Sequence, residues 1–403
     1  MWVMQPLPFD LNLRHLRAVT AVVSLGSLVA AAEQVGLSQP ALTQGLGKLE
    51  RQIGTRLFDR RPDGMAPTPA GRILAERAEF AFAHLATAMR RGGARGFSRP
   101  EQLATATQLK ALLALADVGS FTGAAATIGL SQPAIHRAVR DLEQLCGVPL
   151  AERRGRFVML TSTGRRIARG IRLASGDIAA GLTEALGDPD GTGRIAIGAM
   201  PLSRALVLPH AIAAFVSGRP RAQVEVIEGS WRELADPLRD GIIDLMVGAL
   251  RDEETPGLVQ HALFEDRLIV VARPRHPLAG QHASVADLAR HEWVIASPGT
   301  PLRTRWERLF VGHPPPATPV ESGSVMIIRG LLLNSDLLSL LSPDQVALEL
   351  DSGTLVRIDA ALPDAGRTIG ITARDDWRPS AAQARLVALI EAAAVATRHQ
   401  ESE

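Results

Sequence analysis

Apolar residues in the first half of the chain recur at helical spacing. Leu13, Leu16, Val19 and Val23 line one face of a predicted helix, which Gly26 ends, and Ser27 caps the next. That second helix, about Leu28 to Val35, carries Ala30, Ala31 and Ala32, small enough for two helices to cross closely. A third, from Ser38 to about Gln52, turns Leu42, Leu46 and Leu49 inward and Gln39, Thr43, Gln44 and Lys48 outward. Leu57-Phe58 and Arg60-Arg61 then lead through the turn Pro62-Asp63-Gly64 to Met65 and Thr68, the pattern of a two-stranded wing. Thr68-Pro69-Ala70-Gly71 opens a long helix whose apolar positions, Leu74, Ala78, Ala81, Leu85 and Met89, form a narrow stripe that calls for a partner helix.

The whole plan occurs twice. Gly36-Leu37-Ser38-Gln39-Pro40-Ala41 returns 93 residues later as Gly129-Leu130-Ser131-Gln132-Pro133-Ala134. In each copy the glycine makes a tight turn, the serine caps the following helix, and the proline occupies its first turn, where a missing N–H is harmless. The offset holds through Leu49/Leu142, Glu50/Glu143, Gly54/Gly147, Leu57/Leu150, Arg60/Arg153, Thr68/Thr161 and Gly71/Gly164. In the second copy Ile135, Val139 and Leu142 face in, while Gln132, His136, Arg137 and Arg140 face out. Its wing carries Arg153, Arg154 and Arg156, and its long helix repeats the stripe as Ile167, Ile171, Ala174, Ile178 and Leu182. Residues 11–91 and 104–186 therefore read as two tandem winged helix-turn-helix domains with linker helices, joined by Gly92-Gly93-Ala94-Arg95-Gly96.

Beyond a second hinge at Gly187 to Gly193 the rhythm changes. Short β runs at Arg194–Ala199, Gln223–Ile227, Ile243–Val247, Leu268–Ala272, Trp293–Ala296, Leu337–Leu341, Thr354–Ile358 and Thr368–Thr372 alternate with helical patterns. This predicts an α/β domain over 193–397, with two lobes built on open, largely parallel sheets. Pro201-Leu202-Ser203, Ser230-Trp231 and Ser297 to Thr300 each follow a strand and open a helix, so their N–H groups converge on a cleft suited to carboxylate or hydroxyl groups. Trp231 and Trp293 offer rings for stacking on a sugar, with core packing the plainer reading of both.

Charge divides as the elements do. Residues 1–190 hold 23 Lys and Arg against 16 Asp and Glu, a surplus of seven, whereas the remainder holds 21 against 26. The duplicated half suits a polyanion. A single cysteine, Cys146, excludes a disulfide within the chain and reads as a buried apolar side chain. No apolar run approaches membrane-spanning length, and Arg14 and Arg17 stand where a signal peptide would carry its apolar run, so a cytoplasmic location is expected. A phosphate loop, His-Glu-x-x-His, Gly-x-Ser-x-Gly and cysteine clusters are all missing, and the histidines lack ligand spacing. No enzyme, metal or cofactor is expected.

With these stretches in hand the chain resembles a LysR-type transcriptional regulator along nearly its whole length. The likeness rests on Leu37-Ser38-Gln39-Pro40-Ala41-Leu42, Leu57-Phe58-Asp59-Arg60, Thr68-Pro69-Ala70-Gly71, Gly241 to Gly248 and Val270 to Leu278. Ser297-Pro298-Gly299-Thr300-Pro301-Leu302 adds a similarity to the galactose-binding-protein regulator subgroup. The resemblance implies a metabolite-modulated, sequence-specific DNA-binding regulator with an effector domain shaped like a two-lobed periplasmic binding protein. The implied partners are promoter DNA, a sugar or small organic acid, further copies of the chain as a homodimer or homotetramer, and RNA polymerase. On the DNA side the candidates are Ser38, Gln39, Pro40, Thr43, Gln44, Lys48, Arg60, Arg61 and Thr68. Their counterparts in the second copy are Ser131, Gln132, Pro133, His136, Arg137, Arg140, Arg153, Arg154, Arg156 and Thr161. On the effector side they are Pro201, Leu202, Ser203, Ser230, Trp231, Ser297, Gly299 and Thr300.

The second winged unit departs from the family plan. In the family two chains pair their linker helices antiparallel; here the short Gly92 to Ser98 connection allows both helices to come from one chain, an internal pseudo-dimer reading two unlike half-sites. Gly45 and Gly47 in the first recognition helix, each costing about 1 kcal/mol relative to alanine, leave two alternatives. Either they admit a close backbone approach, or the first unit only grips phosphate and the second carries most of the specificity. A ligand-binding or scaffold protein, in which one or both units no longer read DNA, is the alternative from another class.

Overall fold

The computed structural model describes residues 6–400 except 62–63, 91–96, 155–156, 188–193, 201–206, 218, 220 and 363–365. The chain divides into two compact units, the second beginning at Arg194, with Asp240–Ile242 and Ser380–Ala382 grouped with the first.

In the first unit, α1 (Leu13–Leu25), α2 (Leu28–Val35) and α3 (Gln39–Ile53) are followed by the hairpin β1 (Phe58–Arg61) and β2 (Gly64–Pro67), then α4 (Pro69–Arg90). After a short helix α5 (Pro100–Leu103) the plan repeats as α6 (Ala106–Val118), α7 (Phe121–Ile128), α8 (Gln132–Cys146), β3 (Ala151–Arg154), β4 (Phe157–Leu160) and α9 (Ser162–Ala185). The repetition extends to single hydrogen bonds. Ser38 Oγ accepts from Ala41 N and Ser131 Oγ from Ala134 N, each at 3.4 Å. Glu50 accepts the Leu57 and Phe58 N–H groups at 2.8 and 3.1 Å, and Glu143 those of Leu150 and Ala151 at 2.8 and 3.2 Å, tying each recognition helix to its wing. Gly71 and Gly164 sit so close to the Leu57 and Leu150 carbonyls that any side chain there would collide with backbone. Glycine is the residue this crossing permits.

The leaders of the two copies are exchanged. The turn Pro8–Asp10, ahead of α1, packs on α6 and α9, and Asp10 pairs with Lys110. Helix α5, ahead of α6, packs on α4 and is held by Arg17, whose guanidinium donates to the Glu101 and Gln102 carbonyls and lies 4.6 Å from the Phe82 ring. Burial there pulls Arg17 down to about 10.

The second unit contains β5 (Arg194–Ala199), α10 (Val207–Ser217), β6 (Gln223–Glu228), α11 (Trp231–Arg239), β7 (Leu245–Ala249), β8 (Leu258–Arg267), β9 (Ile269–Ala272) and β10 (His282–Ala283). There follow α12 (Val285–Leu288), β11 (Val294–Ile295), α13 (Pro301–Leu309), β12 (Val320–Glu321), α14 (Val325–Asn334), β13 (Ser339–Leu341), α15 (Ala347–Asp351), β14 (Val356–Ala360), β15 (Gly366–Arg374) and α16 (Ala381–Gln400). One lobe holds a five-stranded sheet ordered β6-β5-β7-β15-β8, the other a four-stranded sheet ordered β10-β14-β9-β13. The sheets are mixed rather than largely parallel: β5 runs parallel to β6 and β7, but β15 is antiparallel to β7 and β8, and β9 to β13 and β14. The chain crosses between lobes along β8 into β9 and returns into β15, and a returning strand enters its sheet against the strands that helices feed. Asp266 and Arg367 face each other where these crossovers meet, their Oδ2 and Nε 2.8 Å apart, with Ser342 Oγ donating to Asp266 Oδ1 at 2.7 Å.

Candidate nucleic-acid interface and effector cleft

The long helices α4 and α9 are each other's partner. Arg77 Nε and Nη2 donate to Glu184 Oε2 and Oε1 at 3.0 and 2.6 Å, His84 Nε2 lies 3.2 Å from Asp177 Oδ2, and Arg166 Nε donates to the Ala88 carbonyl at 3.3 Å. One number rises as the other falls, so the helices run antiparallel. Two glycines allow the approach. A Cβ on Gly181 would stand 2.8 Å from Arg77 Cβ, and one on Gly170 would overlap the Ala88 methyl and lie 2.9 Å from the His84 carbonyl oxygen. Moved by 93 residues, Arg77 against Gly181 becomes Gly170 against Ala88, and His84 becomes Asp177 itself. The helices are therefore related by a pseudo-twofold axis passing between His84 and Asp177. The stripes named from sequence (Leu74, Ala78, Ala81, Leu85 and Met89 with Ile167, Ile171, Ala174, Ile178 and Leu182) are all buried.

On α3 the residues Gln39, Pro40, Gln44 and Lys48 are exposed, and on α8 so are Gln132, Pro133, His136, Arg137 and Arg140. The Thr43 hydroxyl is committed to the Gln39 carbonyl at 3.0 Å. The His136 ring rests 4.9 Å from that of Phe121. Ser38, Ser131, Thr68 and Thr161 cap their helices, and the two threonine hydroxyls also donate to the Arg56 and Pro149 carbonyls. Arg60 and Arg61 lie on β1 and Arg153 and Arg154 on β3; the Arg153 side chain is exposed, those of Arg60, Arg61 and Arg154 lie outside the description, and Arg156 lies outside the described residues.

The two glycines of α3 separate in role. Gly45 is buried, and a Cβ there would come within 2.6 Å of the His15 ring, so it accommodates α1. Burial, reinforced by Lys48 and Arg14, holds His15 below the ordinary imidazole range. Gly47 is open, with only Arg51 Nη1, at 3.9 Å, near the position of a Cβ. Gln39, Pro40, Thr43, Gln44, Gly47 and Arg51 line an open depression of about 650 Å³ on the outward face of α3. Sequence reasoning missed His15 and Arg51, although Arg51 lies four residues beyond the glycine that exposes it.

In the second unit, the structure brings two of the three expected effector stretches together through a residue the sequence reading passed over. The Arg232 guanidinium, next to Trp231, lies 3.6 Å from where a Cβ of Gly299 would be. Arg251 was also missed; its guanidinium lies 5.4 Å from the Trp231 ring centroid. Ser230 Oγ donates to Glu233 Oε2 at 2.8 Å, and Thr300 Oγ1 caps α13 through Arg303 N while donating to the Ser297 carbonyl. Their hydroxyls are thus partly taken by helix starts, whereas Ser297 and Gly299 are exposed, the latter at φ +77°. Pro201, Leu202 and Ser203 lie outside the described residues. Trp293 is a core residue, fully buried against Trp306 and Phe310 with Nε1 donating to the Leu288 carbonyl at 3.1 Å.

Comparison with known proteins places this geometry. Residues 190–394 match the family described as LysR substrate binding domain, and residues 13–72 and again 106–165 match the bacterial regulatory helix-turn-helix protein, lysR family. The chain belongs to the LysR family. It is a DNA-binding transcriptional regulator whose C-terminal domain takes a small-molecule effector. Among its LysR relatives, the HTH-type transcriptional regulator GalR of Pseudomonas putida is 34% identical over 385 residues, covering 94% of this chain and 96% of that one. An alignment of that length cannot omit either winged unit. The SDS degradation transcriptional activation protein of a Pseudomonas species is 30% identical over 259 residues, covering 63% of this chain and 84% of its own. The fold is also that of a full-length OxyR variant from Pseudomonas aeruginosa (24% identity, TM-score 0.57, 72% of this chain and 93% of that one). ArgP from Mycobacterium tuberculosis is similar in fold too (21% identity, TM-score 0.58, 71% and 96%). Among the described residues, no helix is long and apolar enough to cross a membrane.

Proposed function

We propose that one chain is a complete two-headed DNA reader. It works as a cytoplasmic, non-enzymatic regulator in which α3 and α8 are presented to DNA by an internal pseudo-dimer rather than by two chains. The observation carrying this reading is the antiparallel pairing of α4 with α9 inside one chain, which uses up the stripe that a lone winged unit would offer to another molecule. The domains divide at about residues 11–91, 104–186 and 193–397. Outward residues of α3 and α8 face bases, while the wing arginines and exposed lysine supply phosphate contacts and counterion release. In the second unit, Ser230, Trp231, Arg232, Ser297, Gly299 and Thr300 line a cleft for a sugar or small organic acid, whose carboxylate or hydroxyls meet Arg232 and the helix starts. Effector binding shifts the lobes and with them the DNA-bound state.

Footprinting on the upstream region of its own gene, with wild type, Arg137→Ala and Gln44→Ala, tests whether both heads bind: each substitution should erase a different half-site. Chains carrying only His84→Cys, mixed with chains carrying only Asp177→Cys and treated with a short bis-maleimide, test which molecule supplies the partner helix. The doubly substituted chain should close on itself, and the mixture should give no cross-linked dimer. A dimer band from the mixture would show that α4 pairs with α9 of another molecule and overturn the proposal.

A further inference from the structure

We infer that the two heads read chemically different half-sites, α3 an adenine·thymine step and α8 a guanine, so that the chain sits on its operator in one orientation only. The inference rests on the reading of both heads as DNA-binding.

The 93-residue offset matches the outward positions one to one. Thr43, Gln44 and Gly47 on α3 correspond to His136, Arg137 and Arg140 on α8. Gln44 is exposed, and its amide presents a donor beside an acceptor, the complement of adenine N7 and N6 in the major groove. Arg137 and Arg140 are exposed and carry donors only, the complement of guanine O6 and N7. Where α8 projects Arg140, α3 has Gly47 and the open depression around it. With its hydroxyl held by the Gln39 carbonyl, Thr43 has mainly its methyl group to offer there, beside the Pro40 ring. A notch with such walls receives the thymine 5-methyl group, which cytosine lacks, and Gly47 keeps it open.

The surrounding charge follows the same division. Lys48 and Arg51, both exposed on α3, become Asp141 and Gln144 on α8. The first head thus reads with neutral groups and grips with cations beside them. The second reads with its cations and carries a carboxylate where the first has a lysine. In an ordinary homodimer the two heads are identical and a palindrome satisfies both; here the pseudo-twofold axis relates unlike surfaces, and a palindrome mismatches one of them.

Selection of binding sites from a randomised duplex pool by the full-length protein tests this. Wild type should enrich a non-palindromic motif with guanine in one arm and an A·T step in the other, in fixed order. Arg137→Ala should lower preference for the guanine by about tenfold, the lower range for one bidentate base contact, and leave the other arm intact. Gly47→Arg should bring a guanine preference into the A·T arm and make the motif more symmetric. Enrichment of a palindrome by wild type, or an unchanged motif from Gly47→Arg, overturns the inference while leaving DNA binding standing. Failure to enrich any site overturns the parent reading as well.

Discussion

Helix α9 contains an internal control for the α4–α9 pairing. Gly170 and Gly176 lie six residues apart in it, both in its interior. Replacing a mid-helix glycine by alanine removes backbone entropy from the unfolded chain and stabilises by about 1 kcal/mol where the new methyl group has room. At Gly176 nothing lies within 4 Å of the added Cβ, so Gly176→Ala should show the full gain, about 2–4 °C in Tm for a unit of this size. At Gly170 the same methyl group runs into the Ala88 side chain and lies 2.9 Å from the His84 carbonyl, which belongs to a helix backbone and cannot rotate away. Overpacking of this kind costs about 1–3 kcal/mol, offset by the same 1 kcal/mol of propensity, so Gly170→Ala should be destabilising by up to about 2 kcal/mol. Cys146 supplies the assay. It is buried in the first unit, and burial pushes its thiol up to about 11, so alkylation at neutral pH reports that unit opening. Urea profiles of Cys146 labelling should shift up for Gly176→Ala and down for Gly170→Ala. If both substitutions stabilise alike, α4 does not approach α9 as described, and the internal pairing falls with it.

Arg77→Glu and Glu184→Arg should each lower the same urea midpoint, since breaking one side of this largely covered bidentate pair leaves the other charge facing its like at about 2–4 kcal/mol, and the double swap should recover most of the loss. No recovery in the double variant would place the pair outside the helix contact. In the second unit, burial and the His291 ring 4.7 Å away hold His276 below the ordinary imidazole range. The unfolded chain then takes up the proton first, so stability is full above the unfolded value of about 6.5 and declines as pH falls below it. His276→Asn, whose amide oxygen can accept the Leu278 N–H that His276 Nδ1 now takes at 3.1 Å, should flatten that decline in urea titrations followed by tryptophan fluorescence between pH 8 and 5. An unchanged slope would assign the pH dependence to other groups.

Local chemistry made the first unit legible. Caps at Ser27, Ser38, Ser120 and Ser131, left-handed glycines at Gly26, Gly36, Gly129 and Gly147, and stripes at a 3.6-residue period all act within a few residues of themselves, and the elements they predict occur within a residue or two. The second unit was legible where strands are apolar runs, as at Arg194–Ala199, whose last five residues are buried. It was not legible at β8, the longest strand of that domain. Leu258 to Arg267 mixes Gln260, His261, Glu265 and Asp266 with exposed apolar residues because only one side of its register with β15 is covered, and its polar content reads as loop. The cleft was half legible for the same reason: helix starts announce themselves locally, while Arg232 reaches Gly299 only through the crossing of two lobes.

The pairing of α4 with α9 shows where such reading stops. An apolar stripe states that a helix needs a partner but not which one, because leucine and isoleucine accept any similar stripe, and homotypic pairing of α4 with a second α4 would bury it as well. What selects α9 over a second α4 is polar. By the registry seen here, a pair of α4 helices would set His84 beside His84, and a pair of α9 helices would set Asp177 beside Asp177; only the mixed pair sets His84 against Asp177 at the axis and joins Arg77 to Glu184. In the linear sequence these residues look like ordinary surface charges, and Gly170 and Gly181 look like weak points in a helix. Their meaning appears only when positions 93 residues apart are laid against each other across the pseudo-twofold axis. Duplication alone would have left two equal stripes free to pair with like or unlike, and it is the divergence at these few positions that favours the mixed α4–α9 pair over pairs of identical helices.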